Sequence, residues 1–100
     1  MGHSRLELHE VLKGIAEHVY FQPPSGHLMQ FPCITYKWDR DSTQHADNEL
    51  YRSAKRYQVT VIDRDPDTEL ADKVRELRYC SFERAFAVDD LNHYVFSLFF

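Results

Sequence analysis

Apolar residues recur along this chain with two different periods, and the switches between them mark out its elements. Leu8, Val11, Leu12 and Ile15 fall at i, i+3, i+4 and i+7, one stripe of an amphipathic helix. Ser4 and Glu7 stand just ahead of it in capping-box spacing. The pattern predicts a helix from Arg5 to His18, even though Gly14 costs about 1 kcal/mol relative to alanine. Val19-Tyr20-Phe21 reads as a short strand, stopped by Pro23-Pro24 and Ser25-Gly26. After Pro32, Ile34, Tyr36 and Trp38 alternate with Cys33, Thr35 and Lys37, the period of a half-buried strand.

The eleven positions from Asp39 to Glu49 are almost wholly polar and predict a loop, long for so small a domain. A long strand follows from Tyr51 to Asp63, with Tyr57, Val59 and Val61 on one face and Arg56, Gln58 and Thr60 on the other. Its early part, Arg52 to Arg56, is polar enough to project beyond the sheet. Asp65-Pro66-Asp67 then suits a helix start, with Asp65 as N-cap and Pro66 at the first helical position. Leu70, Val74 and Leu77 give that helix one apolar face, ending near Arg78. Cys80, Phe82, Phe86 and Val88 occupy alternate positions of a fourth strand, with Arg84 breaking the pattern. Asp89 to Asn92 supplies a turn, and His93 to Phe100 the last strand.

The order is therefore α-β-β-β-α-β-β, an α+β class in two layers. Two amphipathic helices pack on one mostly antiparallel sheet of about four to five strands. The last strand is apolar on both faces, with Tyr94, Phe96 and Leu98 on one and Val95 and Phe99 on the other. On an exposed edge such a strand would invite aggregation. It is expected either to run centrally under a loop or to be covered by a neighbouring subunit.

Length adds one bound: 100 residues form a single domain, 1–100. Twelve basic against sixteen acidic residues leave a net charge of −4, which argues against general affinity for nucleic acid or anionic membranes. The start of the chain turns charged and helical at once, without the pattern of a signal peptide, and the longest apolar run is far short of a membrane span. A cytoplasmic, soluble chain is expected. Cys33 and Cys80 lie far apart outside any CxxC pair, and read as small buried apolar residues rather than a disulfide.

Candidate chemistry is thin. The six histidines form no HxH, HExxH or HxxxH pair, so no metal is expected. Asp39/Asp41, Asp63/Asp65/Asp67 and Asp89/Asp90 could in principle serve acid–base chemistry, but they sit at strand ends and turns, where Asp caps and bends backbone. Phosphate-cradling and nucleophile-elbow motifs are missing, and no cofactor is implied. The basic segment Arg52, Lys55, Arg56 between Tyr51 and Tyr57 could stack and pair with nucleic acid. A solvated strand surface or a salt-bridging subunit contact fits it better. The residues read as a packing module, not an enzyme.

Several strings carry a resemblance. They are Val19-Tyr20-Phe21-Gln22-Pro23-Pro24, Phe31-Pro32-Cys33-Ile34-Thr35-Tyr36, the run from Tyr51-Arg52 through Lys55-Arg56-Tyr57-Gln58-Val59-Thr60-Val61-Ile62-Asp63-Arg64-Asp65-Pro66-Asp67, and Asp90-Leu91-Asn92-His93-Tyr94-Val95-Phe96. Together they resemble the small tail-completion, or tail-terminator, proteins of long-tailed phages. The resemblance implies a virion protein, assembled in the host cytoplasm. It would form a homo-oligomeric ring, typically a hexamer, that caps the tail tube protein and meets the neck or head-completion protein. It implies no catalytic residues and no cofactor. Another head–tail connector, a stopper or adaptor, is the nearest alternative, and a small nucleic-acid-binding module a more distant one.

A ring needs a heterologous, closing interface. The residues expected to supply it are Asp39, Arg40, Asp41, Gln44, His45 and Asp47 of the polar loop, Arg52, Lys55 and Arg56 of the basic strand start, and Phe96 and Phe99 of the last strand. The loop is expected to touch tube or neck, and the basic residues to pair with acidic groups of the next subunit.

Overall fold

A computed structural model describes residues 4–23, 28–39 and 55–100 of the chain. In chain order its elements are α1 (Arg5–Lys13), β1 (Val19–Phe21), β2 (Cys33–Trp38), β3 (Arg56–Asp63), α2 (Glu69–Arg75), β4 (Cys80–Val88) and β5 (Leu91–Phe99). The class is α+β: two helices on a mixed five-stranded sheet ordered β1-β2-β3-β5-β4. Three of the four pairings are antiparallel, and β1 runs parallel to β2.

The helices start as local chemistry dictates and stop earlier than periodicity suggests. At α1 the Ser4 hydroxyl accepts the Glu7 N–H, and the Glu7 carboxylate accepts the Ser4 N–H at 3.0 Å. This reciprocal cap satisfies two donors the helix cannot use itself. The helix closes at Lys13, with Gly14 as C-cap, rather than at His18. Glycine is the weakest point of the stripe, and Ile15 and Ala16 follow as a loose turn bonded back to the Leu12 carbonyl.

At α2 the expected Asp65 cap is not used. Asp63 accepts the Asp65 N–H and Asp65 the Asp67 N–H, so both carboxylates serve turns. The Pro66 carbonyl is held by the Tyr94 hydroxyl at 2.6 Å. Capping passes to Thr68, whose Oγ1 accepts the Leu70 N–H, and α2 ends at Arg75 rather than Arg78.

One core lies between the helices and one sheet face. Leu8, Leu12 and Ala16 from the α1 region and Ala71 and Val74 from α2 cover Ile34, Tyr36, Tyr57, Val59, Val61, Phe96 and Leu98. The alternation read in β3 is the one observed, with Tyr57, Val59 and Val61 fully buried; in β2, Ile34 and Tyr36 are buried as expected, but Cys33 of the other face is buried too and Trp38 is 39% exposed. Val11 is the exception on α1 and stays exposed.

The last strand is longer than expected and begins at Leu91, because the turn narrows to Asp89-Asp90. Both residues have positive φ, 54° and 64°, as a two-residue hairpin of the right twist requires. β5 lies between β3 and β4 and is bonded on both sides, so its aromatics are not on an edge. The edge position falls to β4.

Candidate protein interface

Nine residues long, β4 is exposed from Ser81 to Val88, and no other described strand pairs with its outer side. The opposite edge is the three-residue β1. β4 has one irregularity. Phe82 pairs with Phe96 and Arg84 with Val95, which leaves Glu83 as an extra residue. Such a bulge reverses the face of everything after it. Cys80 and Phe82 therefore share the helix-covered face, whereas Phe86 and Val88 lie on the opposite one. This explains why Arg84 breaks the alternation read from sequence. Phe82, Phe86 and Val88 remain 44%, 43% and 50% exposed.

Arginines line the same edge. Arg75 sits over the Phe82 ring at 5.0 Å, Arg78 over Tyr79 at 5.5 Å and Arg84 over Phe86 at 5.9 Å. His93 stacks on Phe86, with ring centres 4.7 Å apart and planes 12° from parallel. Arginine and aromatic residues are the types enriched in protein interfaces and at their energetic centres.

The helix-free face holds a polar knot around Arg56. Its Nε lies 2.7 Å from Ser97 Oγ and 3.1 Å from Asp39 Oδ2, and its Nη2 lies 3.3 Å from Glu83 Oε2. One guanidinium thus ties the end of β2, the C-terminal part of β5 and the bulge of β4. Its charge is met by two carboxylates of its own chain. Lys55 exchanges two backbone bonds with Phe100 and places its ammonium 4.9 Å over the Trp38 ring. Trp38 in turn stacks on Tyr57 at 4.8 Å and meets Phe21 edge-on. A shallow polar depression of about 210 Å³ beside these strands is lined by Gln22, Pro23, Thr35, Lys37, Gln58 and Thr60.

Of the interface residues expected from sequence, Asp39 and Arg56 are brought together in the knot, and Phe99 lies 6.0 Å beneath the same guanidinium. Phe96 is fully buried against α2 and Phe82, and so belongs to the core. Arg40, Asp41, Gln44, His45, Asp47 and Arg52 lie outside the described residues. The sequence reading missed Glu83, Phe82, Phe86 and Val88 as surface features. The break at Arg84 was their signal, and it needed the bulge to be interpreted.

Nucleophile chemistry finds no footing at the thiols. Burial, reinforced by Asp63, pushes Cys33 up to about 11, and burial, partly opposed by Arg75, does the same for Cys80. Both thiols are free and stay protonated at neutral pH. Tyr36 Oη meets His9 Nδ1 at 2.7 Å and accepts a bond from Arg5. Tyr57 Oη is buried without a hydrogen-bond partner, and its ionisation is shifted upward, mainly by burial and then by Tyr36, against the pull of Arg5. Among the described residues no three His, Cys, Asp or Glu side chains converge as metal ligands, and no helix is long and apolar enough to cross a membrane. Searches of protein families, curated proteins and solved structures find no match to this chain.

Proposed function

We propose that this chain is a structural protein of a long-tailed phage virion, a tail terminator. It assembles as a homo-oligomeric ring, a hexamer, on the head-proximal end of the tail tube and presents a surface to the neck. The observation that carries the assembly half of this reading is the open β4 edge, where Phe82, Phe86 and Val88 stay exposed among stacked arginines. A sheet edge of this length and composition suits protein partners, because unpaired backbone groups and apolar side chains both gain from being covered. The phage half rests on the resemblance of the strand strings, above all Tyr57 through Asp67. The finer layout, helices on one face of a mostly antiparallel sheet, is compatible with a wall segment of a ring.

The test is electron microscopy of particles made when this gene carries an amber codon. Overlong tails are expected. Tails of normal length detached from full heads would move the protein to a connector role, and intact particles would end the virion reading.

A further inference from the structure

We infer that the free chain pairs with a second copy of itself through β4, antiparallel, about a two-fold axis between Glu83 and Arg84. The inference stands apart from the tail reading and concerns what covers this edge in solution.

Three observations fix the register. The first is the bulge. In an antiparallel pair, residues directly opposite each other must lie on the same face of the joint sheet. Cys80 and Phe82 face the helices before Glu83, and Ala85 and Ala87 do so after it, as their partners Leu98, Phe96, Tyr94 and Asn92 show. Faces therefore match only when the numbers of opposed residues add to an odd sum. The centred alignment, Phe82 opposite Phe86, puts a helix-side ring against one from the other face and is excluded. Shifting it by one places Phe82 opposite Ala85, Ser81 opposite Phe86 and Cys80 opposite Ala87, and keeps nearly the full length of the strand.

The second observation is charge. In that register Glu83 stands opposite Arg84 of the second copy, twice by symmetry. The strand is positive before its start and negative after its end, with a Glu-Arg pair at its centre. A parallel in-register pairing would set Glu83 beside Glu83 and Arg84 beside Arg84. The next face-matched shift sets Glu83 opposite Phe86 and loses the central pairs. Cross-strand opposite charges stabilise a pair, and like charges destabilise it.

The third is exposure: every residue from Ser81 to Asp90 is open to solvent. Charges and bulges on an edge strand ordinarily guard against indiscriminate pairing. Here the order of their signs blocks the other registers and permits one. The two-fold pairing also closes on itself, because each copy has one β4, so it yields a pair and not a fibre. A ring assembled head to tail through the same edge would require the pair to open first.

A single-strand contact sits at the small end of interfaces, below about 1,200 Å², where affinities are weak. Sedimentation equilibrium of the full chain at about 100 µM, well above a micromolar dissociation constant, should give twice the monomer mass of 11.9 kDa. Arg84→Glu, which sets Glu opposite Glu, should weaken pairing by about tenfold or more, and Arg84→Lys should keep it. Ser81→Cys with Phe86→Cys should crosslink two copies on mild oxidation, while Ser81→Cys with Val88→Cys, one register step away, should not. A monomeric wild-type chain at that concentration overturns the proposal, whatever the variants do. So does crosslinking that favours the second cysteine pair. Overlong amber-mutant tails would leave this result untouched, so the two readings fail separately.

Discussion

The Arg56 guanidinium reaches across β5 to Glu83, 3.3 Å away, and so fastens the middle of the sheet to the bulge at its edge. The same group holds Ser97 beneath it and Asp39 at the end of β2. The side chains are partly exposed, which limits the worth of each ion pair, but the short bond to Ser97 and the shared geometry add to it. Arg56→Ala should cost about 1–2 kcal/mol by urea unfolding. Arg56→Lys should recover only part, since an ammonium cannot address three partners in fixed directions. A loss within experimental error would show that the knot contributes nothing net.

Phe96 and Phe86 are two phenylalanines in neighbouring strands with opposite expectations. Phe96 is fully buried, so Phe96→Ala should remove about 3–5 kcal/mol, a large share of a small domain's stability. Phe86→Ala, at an exposed position, should cost less than about 1 kcal/mol. Thermal unfolding of both variants decides the contrast.

Thiol chemistry should follow the raised ionisation of Cys33 and Cys80. In the folded protein both should react with a disulfide reagent at pH 8 far more slowly than in denaturant, and speed up as pH climbs toward 11. The linkage has a definite sign. The folded thiols hold their protons above the ordinary value of 9, so stability is fully present below pH 9 and is lost as pH rises from there through 11. Tyr57, also shifted upward, acts in the same direction. A flat stability profile between pH 8 and pH 11 would contradict this.

The hairpin turn offers a gain instead of a loss. Asp90 sits at φ 64°, a conformation that costs glycine nothing. Asp90→Gly should stabilise by a few tenths of a kcal/mol to about 1, and Asp90→Val should destabilise by more than that. Denaturation midpoints of the two variants should move in opposite directions.

Much of this architecture could be read from residue order alone, for definite reasons. Strict alternation in Tyr57-Val59-Val61 and Ile34-Tyr36 reports one buried face, and burial is what the structure delivers there. The capping box at Ser4 and Glu7 is a local contact that needs no tertiary help. The misreadings have tertiary causes. Asp65 has the pattern of a cap, yet its carboxylate is taken by the Asp67 N–H, and Thr68 three positions further carries the role. The order of strands in the sheet, which puts β5 inside and β4 outside, depends on long-range pairing that no local pattern encodes. For that reason residue order points to Phe96 as a surface aromatic, whereas Phe82 and Phe86 of the preceding strand hold the exposed positions. The partners of Arg56, Glu83 and Ser97, come from strands distant in sequence and leave no local signal.

The placement of β5 also has a mechanical consequence. Its full length is bonded to β3 on one side and β4 on the other, and its end at Phe100 is tied to Lys55. A pull on the C-terminus along the strand axis must shear two ladders at once instead of unzipping one bond after another. A cargo fused there would hang from the most force-resistant strand of the sheet, while the same load on β4 could peel that edge away alone.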